Sequence, residues 1–469
     1  MSVMSTRHAA MPELGLEVIE KLVLGPPVLD SHRLDDILAK ARALAGLELD
    51  DVAALLQAGH EARGEIFAAA REVKERIYGR RMVLFAPLYA SNECSNNCLY
   101  CAFRKDNRDL VRRTLTMDEI AAEIRTLGEM GHKRVLLVLG ESGKSGADYA
   151  VKALETTYAT RSGRGEIRRA NANMAPLPVE GFRALKAAGL GTYQCFQETY
   201  HPEQYRYLHP SGQKADYGWR LGVFDRAFAG GVDDIGMGVL FGLYDYRFDL
   251  LALLSHARYL DQRYEVGPHT ISFPRIEPAQ NAPAAEHIPY PVSDDDLRLI
   301  VAAIRLAVPY TGIIMSTRES PELRRELVGL GVSQLSAASR VYPGGYGDGR
   351  AHVEEGEQFR LGDTRPLDTV IYDLAEDGYL PSFCTACYRL GRTGHDFMEF
   401  AKPGDIQQYC TPNALLTFQE YLIDYASPKT RAVGERLVDG LLAEATPPLR
   451  AIVEQRLAAI RAGERDLYL

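Results

Sequence analysis

The chain has 469 residues, of which 46% are hydrophobic and 25% charged, and its formal net charge is −9. That composition suits a soluble globular protein with a large core and argues against nucleic acid as the main partner. No apolar run nears the roughly 18 residues of a membrane span, and the opening MSVMSTRHAAMPELG lacks the apolar stretch of a secretory signal, so a cytoplasmic protein with no membrane or nucleic-acid role is expected.

Residues 1–80 read as a helical extension, with LDDILAKARAL, DVAALLQAG and EARGEIFAAAREVKERIYG as its helices. From residue 82 onward, short β-rich runs alternate with amphipathic stretches. The strand expectations are 82–90, 134–140, 167–173, 190–197, 235–240, 269–273, 312–316 and 332–338. Apolar, β-branched runs of this length suit strands buried on both faces. Between them, Thr116 with Glu119 and Ser293 with Asp296 form capping-box patterns, and Ser320-Pro321 is a cap followed by proline at the first helical position. Eight alternations predict an α/β protein built on a (β/α)8 TIM-type barrel over residues 81–341. Periodicity alone leaves a doubly wound open sheet as the alternative. The glycine-rich, charged segment 342–363 reads as a long excursion that opens a mostly helical C-terminal domain, residues 342–469.

After the first strand comes SNECSNNCLYCAF, with Cys94, Cys98 and Cys101 inside eight residues. Structural zinc takes four ligands, so three cysteines in one loop would need a distant fourth. A 4Fe–4S cluster held by three thiolates instead keeps one iron open to a small chelating molecule. Tyr100, just before the last cysteine, can pack on a planar ligand beside that iron. The spacing Cys-x3-Cys-x2-Cys with its aromatic resembles the radical S-adenosylmethionine superfamily. That resemblance implies a 4Fe–4S cluster whose open iron binds S-adenosylmethionine, which reduction cleaves to methionine and a 5′-deoxyadenosyl radical.

Active sites of such barrels lie at the C-terminal ends of the strands. Gly140-Glu141 follows the second strand. It allows close backbone approach and offers a carboxylate for an ammonium, similar to the Gly-Glu element with which this superfamily holds the methionyl amine. Asn173 follows the third strand. Gln197 and Glu198 follow the fourth and offer acceptors for a ribose. Gly236, Gly238 and Gly242, around the fifth, clear room for a bulky ligand. His269 sits at the sixth strand and Arg275 follows it. Arg318 follows the seventh, where it can pair bidentately with a substrate carboxylate, and Ser339-Arg340 follows the eighth. Polar and cationic groups thus collect at one end and fit an amino-acid substrate. Cys195, within the fourth strand, reads as packing.

A second set, Cys384, Cys387 and Cys410, again numbers three. A zinc site would recruit His395; a second iron–sulfur cluster would again have an open corner. The two sets together, with FQETYH, GPHTISFPR, MSTRE, PGGY, EQFRLGD and SFCTACYRLGRTG, resemble the superfamily's tyrosine lyases that mature FeFe hydrogenase. The resemblance runs from about residue 80 to 430. It implies cleavage of L-tyrosine at Cα–Cβ to p-cresol and dehydroglycine, and conversion of the fragment to carbon monoxide and cyanide. It also implies an auxiliary 4Fe–4S cluster carrying an extra iron, with His269 as a ligand. Implied partners are an electron donor such as ferredoxin or flavodoxin and a hydrogenase-maturation scaffold GTPase of the HydF kind. Glu93 and Ala102-Phe103 depart from the usual pattern around the first set. Three rivals remain: the related tyrosine lyase of thiamine biosynthesis (2-iminoacetate synthase), which lacks the late cysteines; a non-catalytic two-cluster electron carrier, for which four cysteines per cluster would be natural; and a zinc-stabilised binding protein.

Overall fold

The computed structural model describes residues 11–26, 29–347 and 356–469. The first ten residues and the 348–355 part of the excursion, both used above, lie outside the described residues. All eight expected strands form in the expected order: β1 (Arg81–Ser91), β2 (Arg134–Leu139), β3 (Arg169–Asn173), β4 (Tyr193–Glu198), β5 (Ile235–Val239), β6 (Thr270–Ser272), β7 (Gly312–Met315) and β8 (Gln334–Ser336). They run parallel, each against the next, and β8 pairs back onto β1 through Val83↔Gln334. Closure rules out the doubly wound alternative.

One further strand of this sheet, β9 (Leu380–Ser382), was not foreseen, nor was a short hairpin, Arg161–Ser162 with Gly165–Glu166, which forms a separate two-stranded sheet. β9 pairs with the start of β1, Arg81↔Leu380 to Val83↔Ser382, while β2 pairs with β1 from Ala86 onward. The long β1 therefore carries two neighbours in succession, and β9 lies at the foot of the barrel. Pro381 at the centre of this three-residue strand erases the sequence signal, because proline cannot donate to a ladder and is tolerated only at an edge.

Along β1, Leu84, Ala86 and Leu88 are buried behind the sheet, while Phe85, Pro87 and Tyr89 line the barrel interior. The capping boxes form as read: Thr116 with Glu119 opens the helix Met117–Glu129, and Ser293 with Asp296 opens Asp294–Ala307. The N-terminal helices Leu16–Leu24, Ser31–Arg42, Leu49–Leu56 and His60–Tyr78 pack on the barrel helices Tyr246–Tyr264 and Asp294–Ala307. Lys74 is buried where His60–Tyr78 meets the barrel helix Pro321–Leu330 and donates to the Val328 carbonyl at 2.7 Å. Burial pushes its pKa down to about 7. After β9 the chain is helical, and Gln407–Asp424 packs against β9 and the two last helices, Pro428–Glu444 and Pro447–Arg461. Buried Arg168 and Glu420, 2.9 Å apart, tie this region to the barrel. No helix among the described residues is long and apolar enough to cross a membrane.

Candidate functional site

A cavity of about 230 Å³ opens at the C-terminal ends of the strands. Cys94, Cys98 and Cys101 line it together, with Tyr100, Gly140, Glu141, Asn173, Glu198, Ser316, Arg318 and Ser339. The cysteine loop is held against β2 by its backbone: Ser95 N and Oγ both donate to the Glu141 carbonyl, at 2.7 and 2.9 Å. Gly140 is required there because a Cβ would sit 2.4 Å from the Glu93 carbonyl oxygen. Gly140→Ala must therefore displace the loop. We expect about a 10²-fold loss of S-adenosylmethionine cleavage, the scale of a 1 Å misplacement, read by release of methionine.

Burial pushes the Cys98 thiol up to about 12, with Lys214 opposing and the neighbouring thiols adding. Burial likewise raises Cys101, reinforced by Cys94. Clustered, desolvated thiols of this kind ionise only against a compensating positive charge, which a cationic iron core would supply. Tyr100 is anchored by its hydroxyl to His209 Nε2 at 2.8 Å, leaving its ring to line the cavity. Glu93 pairs with Lys144 at 2.9 Å, and Phe103 packs edge-on against Tyr89 with ring centres 6.0 Å apart, so both departures from the usual motif are accommodated locally.

Arg318 lies on the cavity wall with its guanidinium 3.3 Å from the centre of the Phe359 ring. Among the described residues it makes no ion pair. Its neighbour Glu319 is taken by Arg275, which also binds Asp294 and does not line the cavity. Burial lowers the Arg318 pKa.

Several expected residues are not brought in. Gln197 is buried with its Nε2 unpartnered and does not line the cavity. The register shifts between Phe196 and Glu198, where Glu198 adopts φ 72°, so Gln194, Phe196 and Glu198 face inward. Gly236 and Gly238 make room for the side chains of Gln194, Thr270 and Phe196 rather than directly for a ligand. Cys195 is buried in the core. His269, grouped above with the mouth residues, lies at the opposite end, because β6 is short and starts only at Thr270.

Other cavity residues carried no sequence signal. Lys214 binds Glu198 at 2.6 Å, and buried Arg220 sits 3.8 Å from the same carboxylate. Asn96 donates to Glu141 Oε2 at 2.6 Å. Segment 356–363 returns over the mouth because Gly362 N and Asp363 N both bond to the Thr317 carbonyl. It brings Gln358 within 3.6 Å of Cys101 Sγ. Glu277 also lines the cavity and makes no hydrogen bond or ion pair among the described residues; burial and nearby Glu319 push its pKa up to about 7, against Arg318 and Arg275.

The second cysteine set gathers at the barrel foot, roughly 30 Å of strand away from the first. Cys384 follows β9, its carbonyl accepting from Arg134 Nη1 at 2.8 Å. Cys387 and Cys410 share a hydrogen bond that holds the Cys410 thiol down and the Cys387 thiol up, with Arg81, His269 and Arg392 further favouring the Cys410 thiolate. His395 is instead exposed, beside Glu265 and Glu399. With Asp396 and Glu399 it forms the one group of ligand atoms, among the described residues, mutually within 4.8 Å. Neither cysteine triple is that tight, whereas sulfurs on one tetrahedral zinc stand about 3.8 Å apart. The donor sets fit clusters better than a single ion.

Residues 88–254 match the Radical SAM superfamily, and residues 272–380 match the Biotin and Thiamin Synthesis associated domain. A barrel with three cysteines after its first strand thus defines a radical S-adenosylmethionine enzyme. The chain is 34% identical to 2-iminoacetate synthase of Salmonella typhimurium over 345 residues, 73% of this chain and 88% of that protein. It superposes on a crystal structure of HydG, a maturase of the FeFe-hydrogenase, with TM-score 0.93 and 46% identity, covering 97% of this chain and 99% of that one. The HydG of Carboxydothermus hydrogenoformans gives TM-score 0.81 and 40% identity, over 94% and 96% of the two chains. The chain belongs to the HydG and 2-iminoacetate synthase group of the radical S-adenosylmethionine superfamily.

Proposed function

We propose that this protein is a lyase that cleaves the Cα–Cβ bond of L-tyrosine, giving p-cresol and dehydroglycine, and that the fragment becomes carbon monoxide and cyanide at the second site for FeFe-hydrogenase maturation. The observation that carries this proposal is the pairing of two incomplete cysteine sets at opposite ends of one closed barrel. An enzyme that stopped at p-cresol would have no use for the second.

Cys94, Cys98 and Cys101 would hold the first 4Fe–4S cluster, and Cys384, Cys387 and Cys410 the auxiliary cluster, with His269 as ligand to an extra iron and residues 342–469 as the domain that carries the set. Reduced by a ferredoxin or flavodoxin, a cluster held there would supply the electron for reductive cleavage of S-adenosylmethionine. Around it, Glu141 is held by Asn96 to receive the methionyl ammonium, and Tyr100 presents its ring to the adenosyl part. Glu198 is held by Lys214 and Arg220 at the same wall and offers acceptors to the ribose. Arg318, a half-buried cation with no carboxylate partner among the described residues, receives the tyrosine carboxylate, and Glu277 faces the same space to receive its ammonium. The buried walls exclude water from a site where radicals must meet only their substrate. A HydF-like scaffold GTPase is the proposed recipient of the product.

Removing the guanidinium removes charge-assisted bonds of about 1.5–3 kcal/mol. Arg318→Ala is therefore expected to weaken tyrosine binding roughly 10- to 100-fold while leaving S-adenosylmethionine binding intact. Equilibrium binding of each ligand to the reconstituted protein tests this. Unchanged tyrosine affinity would remove Arg318 from the substrate site.

A further inference from the structure

The foot of the barrel holds a buried acid with no assigned task. Asp234, just before β5, is 2% exposed at its side chain and lies 3.1 Å from His269 Nδ1 through Oδ2. The same oxygen is 3.7 Å from Arg169 Nη2. Asp234 thus lies within ion-pair distance of both His269 and Arg169. The His269 ring is stacked 4.2 Å from Phe397 at 11° and 5.9 Å from Tyr388 at 12°. Its plane is fixed by these two rings, which leaves only the choice of which edge faces the cysteines. Tyr388 adjoins Cys387 in the chain and carries the Arg169 guanidinium 3.3 Å from its ring centre. Asp234, Arg169, Tyr388 and His269 are thus one packed unit against the second cysteine set. Among the described residues neither ring nitrogen of His269 makes a hydrogen bond, and both Asp234 carboxylate oxygens are buried without one, Oδ2 standing 3.1 Å from Nδ1.

We propose that Asp234 is a positioning residue of the second site: by accepting the His269 Nδ1–H it fixes the ring so that Nε2 presents its lone pair to the extra iron. This rests on the second-site assignment above. A histidine ligand is oriented and made more basic by a carboxylate on its other nitrogen, and loss of such a partner typically weakens metal binding by about 10- to 100-fold.

The test uses full-length protein reconstituted with iron and sulfide, then titrated anaerobically with ferrous iron, for the wild type and for Asp234→Ala, Asp234→Asn and His269→Ala. Iron bound beyond the two clusters and the EPR signal of that added iron are the readouts; the cluster signals report an intact scaffold. Asp234→Ala should weaken uptake of the extra iron by about 10- to 100-fold and His269→Ala, which removes the ligand itself, at least as much, with both clusters retained. Asp234→Asn keeps an oxygen acceptor and should restore most of the affinity. Wild-type uptake by Asp234→Ala while His269→Ala fails would overturn the proposal alone. So would loss of the auxiliary cluster itself in Asp234→Ala, or an Asn variant as weak as the Ala variant, since either would mark a structural charge. No extra iron in the wild type, or full uptake by His269→Ala, would overturn the second-site assignment and this proposal with it.

Discussion

Cys94→Ala is expected to abolish S-adenosylmethionine cleavage. The loop offers three thiolates and lines the cavity with all of them. No other cysteine is present there; the remaining four are Cys195 in the core and the set at the foot. With two ligands the first cluster has no stable seat, so methionine and p-cresol formation should both fall below about one-thousandth of wild type, equivalent to about 4 kcal/mol in the barrier. The signal of the auxiliary cluster should survive, because its proposed ligands come from the turn and short helix Ala386–Arg389 after β9 and from the helix Gln407–Asp424, at the other end of the barrel. Anaerobic product analysis beside iron and sulfide content checks both halves. A Cys94→Ala protein that still released methionine at the wild-type rate would remove this cysteine from the cofactor site.

Cys387→Ala is expected to separate the two half-reactions. Cys387 has Cys410 as its hydrogen-bond partner and Arg392 as a nearby cation, and it takes no part in the upper cavity. Its loss should leave p-cresol formation within a few-fold of wild type and reduce carbon monoxide to background. The measurement is p-cresol by chromatography and carbon monoxide by haem-protein trapping in the same vials. If p-cresol also vanished while the protein remained folded, the division of labour between mouth and foot would be wrong.

The eight barrel strands were legible because most are short apolar runs that alternate with amphipathic helical stretches, and the helix starts were legible because their capping partners sit three residues apart. β9 was not, because it is short and centred on Pro381. The cysteines, Gly140, Glu141 and Arg318 could be placed at the mouth because each follows a strand directly. Lys214, Arg220 and Gln358 could not, since loops and short helices carry them back over the cavity from far along the chain. Gln197 was misplaced by one register step at the shift between Phe196 and Glu198. That shift follows from one residue taking positive φ, which a side-chain pattern does not encode. The pairing of Asp234 with His269 spans two neighbouring strands and becomes visible only once β5 and β6 are set side by side.

The most direct test of the central claim is a single anaerobic assay. The protein is reconstituted with iron and sulfide and supplied with reductant, S-adenosylmethionine and L-tyrosine, and p-cresol and carbon monoxide are measured together. Both products, formed in proportion over repeated turnovers of the first site until the second is filled, are the predicted result. p-Cresol without carbon monoxide from a protein carrying both clusters would contradict the role given to the second site, and S-adenosylmethionine cleavage with neither product would contradict tyrosine as the substrate.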